Sequence, residues 1–411
     1  MIRQNGKSVQ KGLITLVVVA LLATVLLPLT QLFAKAFYDR DGQRAFRAVA
    51  LLPLFAPTMM HGIALTYLFG NQGLVTTGIF EMLPFSWDID LYGPVGIILV
   101  EIVYVFPQAY LILVVSMAFA DYQLYEESKT YRMKESRLRD TFFFLFCLAV
   151  SGFLLLLMAT VVLASFIKVW PYDLSFGLQH YDFSNVAGEG MGPLWNSILV
   201  ALITAVIGTA VTFVTAYVIE KTQVWRGLRQ AGYFLSILPL ALPGMVIGLA
   251  YIFFFNNPNN PFHGLYGTIW ILVLANVIHF FAVSFITATT ALKKLDPEFE
   301  MAAESMGISR AKVFWRVTVP VCTPAIIEMV VYFFINSLVT ISAVVFLYAA
   351  DFKLAAVSIV NMDDAGDVAP AAAMSVLIVV LNIFARAGAE WIAAKIRKRA
   401  AWTNQEKEQV A

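Results

Sequence analysis

The chain has 411 residues, of which 60% are hydrophobic and 13% are charged, and its formal net charge is +1. This composition excludes an ordinary soluble domain, and the nearly neutral charge argues against nucleic acid as a partner. The apolar residues form runs long enough to cross a bilayer, which takes about 20 residues. We therefore predict an all-α polytopic membrane protein.

About nine apolar segments are predicted to be transmembrane helices. The first follows basic Arg3, Lys7 and Lys11 but is too long for the apolar core of a cleaved signal peptide, so we expect a retained helix. In chain order the segments are residues 12–34, 48–70, 94–120, 141–167, 193–219, 230–255, 268–292, 321–349 and 369–387.

Charges in the connecting loops predict the orientation of these helices. From the fourth segment onward, basic loops alternate with acidic or uncharged ones, and the residues after the last segment are basic. The positive-inside rule places the basic loops and the C-terminus in the cytoplasm. The first three segments break the alternation, because they would put the basic loop 121–140 outside. An odd number of crossings is therefore missing, or one candidate does not cross.

An internal repeat indicates that the missing part belongs to the first half of the chain. Three pairs of motifs occur in the same order, which indicates a duplication. They are Leu52-Pro53-Leu54-Phe55-Ala56-Pro57 with Leu238-Pro239-Leu240-Ala241-Leu242-Pro243, Leu91-Tyr92-Gly93 with Leu265-Tyr266-Gly267, and Asp121 and Leu124 with Asp296 and Phe299. We predict a shortened first repeat at residues 1–140, a complete second repeat of six helices at 141–400, and a cytoplasmic tail at 401–411.

Four prolines recur at corresponding positions of the two repeats: Pro53, Pro57, Pro239 and Pro243. Each removes a backbone donor and bends its helix. They are candidate hinges, and static kinks are the alternative.

A polar segment at residues 295–320 lies between two apolar runs. Ala302 and Ala303 form a narrow helix face that can enter a groove, and Gly307 allows a sharp turn into a second helix. Arg310, Lys312 and Arg316 are expected to keep that second helix at the surface. An ordinary amphipathic cytoplasmic loop is the alternative.

This segment resembles the cytoplasmic loop of the permease subunits of binding-protein-dependent ABC importers. Their signature reads E-A-A, three residues, G, and later a hydrophobic residue, two residues and P. Met301 replaces the leading acid here. The resemblance implies an ATPase-coupling loop formed by Glu300, Met301, Ala302, Ala303, Glu304, Gly307, Arg310 and Pro320. A weaker first-half loop is implied at Glu126, Glu127 and Ser128, where Arg132 replaces the glycine.

Residues 314–322, 342–348 and 361–367 look like those of 2-aminoethylphosphonate permeases, in a fused two-half group that includes ferric-iron permeases. The resemblance implies an inner-membrane subunit that moves a small phosphonate by alternating access. Separate cytoplasmic ATPase subunits would hold ATP and magnesium, and a periplasmic binding protein would deliver substrate. The chain itself would be no enzyme and carry no cofactor. Ferric iron or another small solute is the alternative.

The chain shows no ATP-hydrolysing motif of its own. Gly6-Lys7-Ser8 ends like a P-loop, but Met1 stands where the earlier glycine is required and no strand precedes it. Energy must therefore come from a partner or from an ion gradient.

Polar side chains inside the apolar segments are candidates for a transport pathway, because polar groups at bilayer depth are costly. They are Glu101, Gln108, Asn276, His279, Glu328 and Asn336. Hydrogen bonding between helices is the alternative for each of them. We predict no metal site, because His279 has no second His or Cys at ligand spacing.

Two other functional classes stay open. A secondary transporter would use an ion gradient, with Glu101 or Glu328 as its functional acid. A degenerate subunit would insert into the membrane without transporting a substrate.

Overall fold

A computed structural model describes most of the chain beyond residue 39, and the first predicted helix, residues 12–34, lies outside the described part. The described residues are 40–78, 88–127, 137–184, 186, 190–221, 225–295, 301, 303, 305–349 and 352–410. They form two compact units, one up to Tyr181 with Val368–Val376 and one from Asp182 to Asp367 with Leu377–Ala411. These units are defined by contacts and the predicted repeats by sequence, so the repeat boundaries stay a prediction.

The first unit contains four helices and a small hairpin. The helices α2 and α1 pack against α4, and α3 packs against α2. Met60, Leu65 and Leu157 lie fully inside the unit. The elements are α1 (Arg40–Leu51), α2 (Thr58–Phe69), α3 (Pro94–Glu127), α4 (Arg137–Phe166), β1 (Ile167–Val169) and β2 (Asp173–Phe176), with the two strands paired antiparallel.

The second unit is built around one long helix, α5. The helices α11, α9 and α8 all pack against it. Close packing is possible because α5 carries small residues, and a Cβ added to Gly208 would lie 2.9 Å from the ring of Phe333. The helices of this unit are α5 (Gly192–Lys221), α6 (Arg226–Ile237), α7 (Gly244–Phe255), α8 (Ile269–His279), α9 (Phe281–Lys293), α10 (Arg310–Val313), α11 (Val319–Val339) and α12 (Ala355–Asp364). A last helix, α13 (Val368–Val410), contributes residues to both units.

The two repeated proline motifs adopt the same backbone path. In each, a short 3-10 segment (Leu52–Phe55 and Leu238–Ala241) ends the first helix, and a new helix follows the second proline. The direction changes by 107° in the first motif and by 109° in the second. The residues before the second prolines are extended, with φ and ψ of −93° and 141° at Ala56 and of −101° and 125° at Leu242. Proline disfavours the helical region for its predecessor, and both breaks lie at such a residue. The predicted bends are therefore present, and a hinge role stays a prediction.

A third break divides the predicted helix 268–292. The helices α8 and α9 meet at Phe280 with a bend of 54°. Phe280 has φ and ψ of −96° and 6°, outside the regular helical region. No proline or glycine marks this position, so the sequence did not predict the break.

The predicted helix 321–349 is wrong at both ends. A continuous helical segment starts at Arg310 and ends at Val339, and residues 342–347 form turns instead. The unpredicted α12 follows these turns, and its first amide, that of Ala355, donates a hydrogen bond to the Ser197 hydroxyl at 2.8 Å. A short helix with small residues escapes a search for apolar runs of membrane length.

Four helices of the described part are long and apolar enough to cross a membrane. Three bent helix pairs raise the number to seven if each pair is one span. The four are Phe144–Phe166, Gly192–Lys221, Arg310–Val339 and Val368–Ile396. The count of nine stays a prediction.

Candidate functional site

The turn predicted in the polar segment lies at Gly307. Its φ of +68° is in the left-handed region, which glycine adopts without steric cost. The amide of Ile308 donates to the carbonyl of Ala303 at 2.9 Å, the bond that closes a helix at a left-handed glycine. Glu300, Ala302 and Glu304 lie outside the described residues. Gly307 therefore ends one helical turn and directs the chain into the next.

The second half of the polar segment is the start of a membrane helix. The short helix α10 continues through a π-helical turn, Phe314–Thr318, into α11. Pro320 lacks an N–H, and in a regular α-helix its ring would clash with the carbonyl four residues earlier. The wider turn before it accommodates the proline without ending the helix. Pro320 itself is exposed.

Both ends of the polar segment are attached to the last turns of α5. At its start, the Lys221 ammonium donates to the carbonyl of Leu295 at 3.3 Å. At the other end, the ring of buried Phe314 lies 4.7 Å from that of Tyr217 and 5.9 Å from that of Phe213. The polar segment therefore contacts α5 at both ends.

Large apolar side chains are exposed in the same segment as its basic residues. Met301 is 57% exposed, Met306 75% and Trp315 69%. The predicted surface cations Arg310, Lys312 and Arg316 are exposed among them. Methionine, tryptophan and arginine are enriched in protein interfaces. These six residues are named the docking surface below. We did not predict Met306 and Trp315 as site residues from the sequence. Their position outside an apolar run is nevertheless a signal of a protein interface.

A second cluster, named the polar junction, joins Gly244, Asn276, His279 and Ser342. Gly244 is the first residue of α7, and a Cβ there would overlap the Ser342 hydroxyl and lie 2.9 Å from His279 Cε1. Asn276 lies one turn before His279 on α8 and is fully buried. Within the described part of the chain, both amide atoms of Asn276 and Nδ1 of His279 have no hydrogen-bond partner.

The polar junction therefore lies where three irregular segments meet. They are the start of α7, the end of α8 and the turn after α11. Breaks of this kind are tolerated inside a membrane protein where they line a cavity or are buried in protein. Sequence reasoning identified Asn276 and His279 but neither Gly244 nor Ser342.

Two other predicted pathway residues, Glu328 and Asn336, bond to partners outside the polar junction. Glu328 on α11 forms an ion pair at 2.7 Å with Arg386 on α13, and Arg386 also contacts Glu390 at 2.9 Å. Asn336 donates to the carbonyl of Tyr332 in its own helix at 2.8 Å. For Glu328, this geometry favours the alternative of bonding between helices.

The remaining candidates belong to the first unit or to loops. Glu101 and Gln108 are both exposed on α3 and, seven residues apart, lie on one face of it. Glu126 and Glu127 end α3, and Ser128 lies outside the described residues. The described part of the chain contains no group of three His, Cys, Asp or Glu residues arranged to hold a metal ion.

Two acidic groups outside the membrane spans have shifted pKa values. Burial, and then the neighbouring Asp364, raises the pKa of the Asp363 carboxyl at the end of α12 above its ordinary value. Hydrogen bonds from Ser175 lower the pKa of Asp173 in the hairpin. Asp363 therefore binds its proton more tightly than a solvated aspartate does.

Comparison with known proteins confirms the predicted resemblance to ABC permeases. Residues 226–398, which include the docking surface and the polar junction, match the family described as binding-protein-dependent transport system inner membrane component. The ferric transport system permease protein FbpB of Actinobacillus pleuropneumoniae is 27% identical over 246 residues, which are 59% of this chain and 35% of that protein. The chain thus spans about a third of the length of this relative.

A shorter relative is matched over most of its length. The 2-aminoethylphosphonate transport system permease protein PhnV of Salmonella paratyphi A is 25% identical over 256 residues, 60% of this chain and 92% of that protein. Among solved structures, a bacterial alginate ABC transporter in complex with a pentasaccharide-bound periplasmic protein has a chain with a TM-score of 0.51 and 15% identity. The match covers 63% of this chain and 96% of that chain, and it shows a shared fold.

Proposed function

We propose that the chain is the membrane-spanning permease subunit of an ABC importer, driven by separate ATPase subunits that grip the docking surface. The observation that carries the proposal is the attachment of both ends of the polar segment to α5, through Lys221 and Phe314. An ordinary solvated loop needs no such double attachment. Coupling to an ATPase needs both attachments, because a movement of the partner must be transmitted to the membrane helices.

The docking surface suits a protein partner with an apolar groove and an acidic rim. Trp315 and the two methionines supply apolar anchors, and the three cations around them attract carboxylates. Residues 126–128 are proposed as a weaker second contact.

The helix α5 is proposed to transmit the motion across the membrane. It has 30 residues and is therefore about 45 Å long. Its far end holds α12 through the Ser197 hydroxyl and through Asn196, whose amide donates to the carbonyl of Lys353 at 3.2 Å. A shift of the docking surface would thus displace both α11, which packs along α5, and α12.

The polar junction is proposed as the gate of an alternating-access cycle. Gly244 and Ser342 are in close contact, so the junction is closed in this structure. Its opening would expose the start of α7, where the helix dipole favours an anion, together with Asn276 and His279. This donor-rich arrangement supports a small anionic substrate.

We propose a small phosphonate resembling 2-aminoethylphosphonate as that substrate. The support is the match over 92% of PhnV together with the donors of the polar junction. Ferric iron is the second candidate because FbpB is among the relatives.

The proposed setting is a bacterial inner membrane with the C-terminus in the cytoplasm and a periplasmic binding protein outside. The Lys395 ammonium lies 4.9 Å from the ring centre of Trp391, near the end of the apolar part of α13 at Ile396. Tryptophan and lysine are enriched at membrane boundaries, and lysine on the cytoplasmic side. The acidic residues at the end of α12 and just after it, Asp363, Asp364 and Asp367, would then face the binding protein.

The test is uptake of 2-aminoethylphosphonate into proteoliposomes that contain the chain, an ATPase subunit and the binding protein. We expect uptake that needs ATP and the binding protein, and co-purification of the ATPase in a fixed ratio. Uptake driven by an ion gradient without ATPase would instead indicate a secondary transporter. Stable insertion without uptake of any tested solute would indicate a degenerate subunit.

A further inference from the structure

An open groove of about 580 Å³ lies between the end of α5, the start of α6 and the end of α9. Its two ends differ in chemistry. Three cations, Arg226, Arg229 and Lys293, lie at the ends of the helices, and Ile219, Phe234 and Ile237 provide apolar walls. The groove is separate from the docking surface and from the polar junction.

At the charged end of the groove, backbone hydrogen bonds hold one of the cations in place. Arg229 Nε donates to the carbonyl of Ile219 at 2.7 Å, and its Nη2 donates to that of Glu220 at 3.5 Å. Within the described part of the chain, Arg226 and Lys293 form no ion pair, and both are exposed. Against the one carboxylate that lines the groove, that of Glu220, the cations leave an excess of two positive charges.

The apolar end is shaped by close packing of α6 on its neighbours. A Cβ on Gly232 would lie 3.2 Å from Ile219 Cδ1, so the absence of a side chain lets the two helices approach. The ring of Tyr233 packs on that of Phe285 at 5.4 Å. Phe234 remains 65% exposed on the open side. From Arg226 to Ile237 the helix rises about 16 Å, so the apolar wall extends well away from the cations.

We propose that this groove binds one anionic phospholipid, with the phosphate at Arg226 and Lys293 and an acyl chain along Phe234 and Ile237. Charge complementarity favours an anion, and the long apolar wall favours a ligand with a hydrocarbon chain over a free phosphate. The position is also suitable, since basic residues at helix ends mark the membrane boundary that faces anionic headgroups. The lipid would fill the space between α6 and α9. The proposal holds whatever the transported substrate is.

The test uses the full chain, purified in mild detergent and mixed with phosphatidylglycerol or phosphatidylcholine. Native mass spectrometry then counts the lipids that stay bound. Each basic residue near an anionic headgroup contributes about 1 kcal/mol, so R226Q/K293Q should weaken retention of phosphatidylglycerol roughly 30-fold. The matched control is K294Q, because Lys294 is exposed at the same helix end but does not line the groove. We expect K294Q to behave as the wild type.

Further arms separate binding from folding and distinguish the possible ligands. R226K/K293R keeps both charges and should retain the lipid, which shows that loss in R226Q/K293Q follows charge. Equal retention by the wild type and R226Q/K293Q would overturn the proposal. Displacement of the lipid by millimolar inorganic phosphate would also overturn it, since the site would then be a phosphate site. A third result would also overturn the proposal: R226Q/K293Q retains the lipid but no longer co-purifies with the ATPase. The groove would then be a protein interface.

Discussion

The ammonium group of Lys221 hydrogen-bonds the carbonyl oxygen of Leu295 at 3.3 Å and joins the end of α5 to the start of the polar segment. Four residues earlier, Tyr217 packs on Phe314 at the other end of the segment. One turn of a central membrane helix thus holds the segment at two points. The helix α5 is thereby attached directly to the segment that carries the docking surface.

Removal of the Lys221 hydrogen bond should weaken coupling without unfolding the protein. A bond from a charged donor contributes about 1.5 kcal/mol when partly buried, so K221Q should lower substrate-stimulated ATPase activity roughly tenfold. K294Q, which removes a neighbouring exposed charge, is the control and should have no effect. The measurement is ATP hydrolysis by the assembled transporter with and without substrate. Full stimulation in K221Q would mean that this attachment does not transmit motion.

The left-handed backbone at Gly307 should be essential for the docking surface. A β-branched residue there is strained by about 1–2 kcal/mol, so G307V should abolish stimulated ATPase activity while membrane insertion stays intact. Asparagine tolerates the left-handed region, and G307N should keep most of the activity. Space is not the cause, because no atom of the described residues lies within 4 Å of a Cβ at this position. Equal activity of the two variants would show that backbone conformation does not matter there.

The contact across the polar junction should be sensitive to a single methyl group. G244A would overlap the Ser342 hydroxyl and should destabilise the protein by about 1–3 kcal/mol and reduce uptake. The double variant G244A/S342G restores the space and should recover both properties in part. The control is G62A, because no atom lies within 4 Å of a Cβ at Gly62. Thermal unfolding in detergent and proteoliposome uptake are the readouts. A stable, active G244A would rule out a tightly closed junction.

The ion pair of Glu328 and Arg386 should be structural. Removal of Arg386 should cost more stability than removal of Glu328, because Arg386 also pairs with Glu390, and the coupling energy between Glu328 and Arg386 should be about 1 kcal/mol. The swapped variant E328R/R386E should recover part of the loss. If Glu328 were instead the acid of an ion-coupled transporter, E328Q would abolish uptake and R386Q would not. Melting temperatures and uptake of E328Q, R386Q, E328Q/R386Q and E328R/R386E distinguish the two roles.

Trp315 should be an anchor for the ATPase subunit. Truncation of a central interface tryptophan typically costs about 2 kcal/mol or more, so W315A should weaken ATPase association at least about 30-fold. W391A is the matched control, since Trp391 is 65% exposed on α13, outside the docking surface. The measurement is the amount of ATPase that co-purifies at a fixed salt concentration. Unchanged association of W315A would place the partner elsewhere.

Much of the local structure was predictable because it depends on nearest neighbours along the chain. Pro57 and Pro243 disfavour the helical region for the residues before them, and both breaks occur there as predicted, whereas Pro107 and Pro324 lie inside helices. Gly307 likewise permits a turn that other residues resist. The break at Phe280 was not predictable, since no proline or glycine marks it in the sequence.

The sequence by itself determined the membrane class, the bends at the prolines, the turn at Gly307 and the relation to ABC permeases, because apolar run length, backbone restriction and motif spacing are local properties. Only the tertiary structure decided that Gly244, His279 and Ser342 meet, that Glu328 pairs with Arg386, and that the polar segment is attached to α5 at both ends. Each of these contacts joins residues at least 35 positions apart, and their formation depends on which helices pack together.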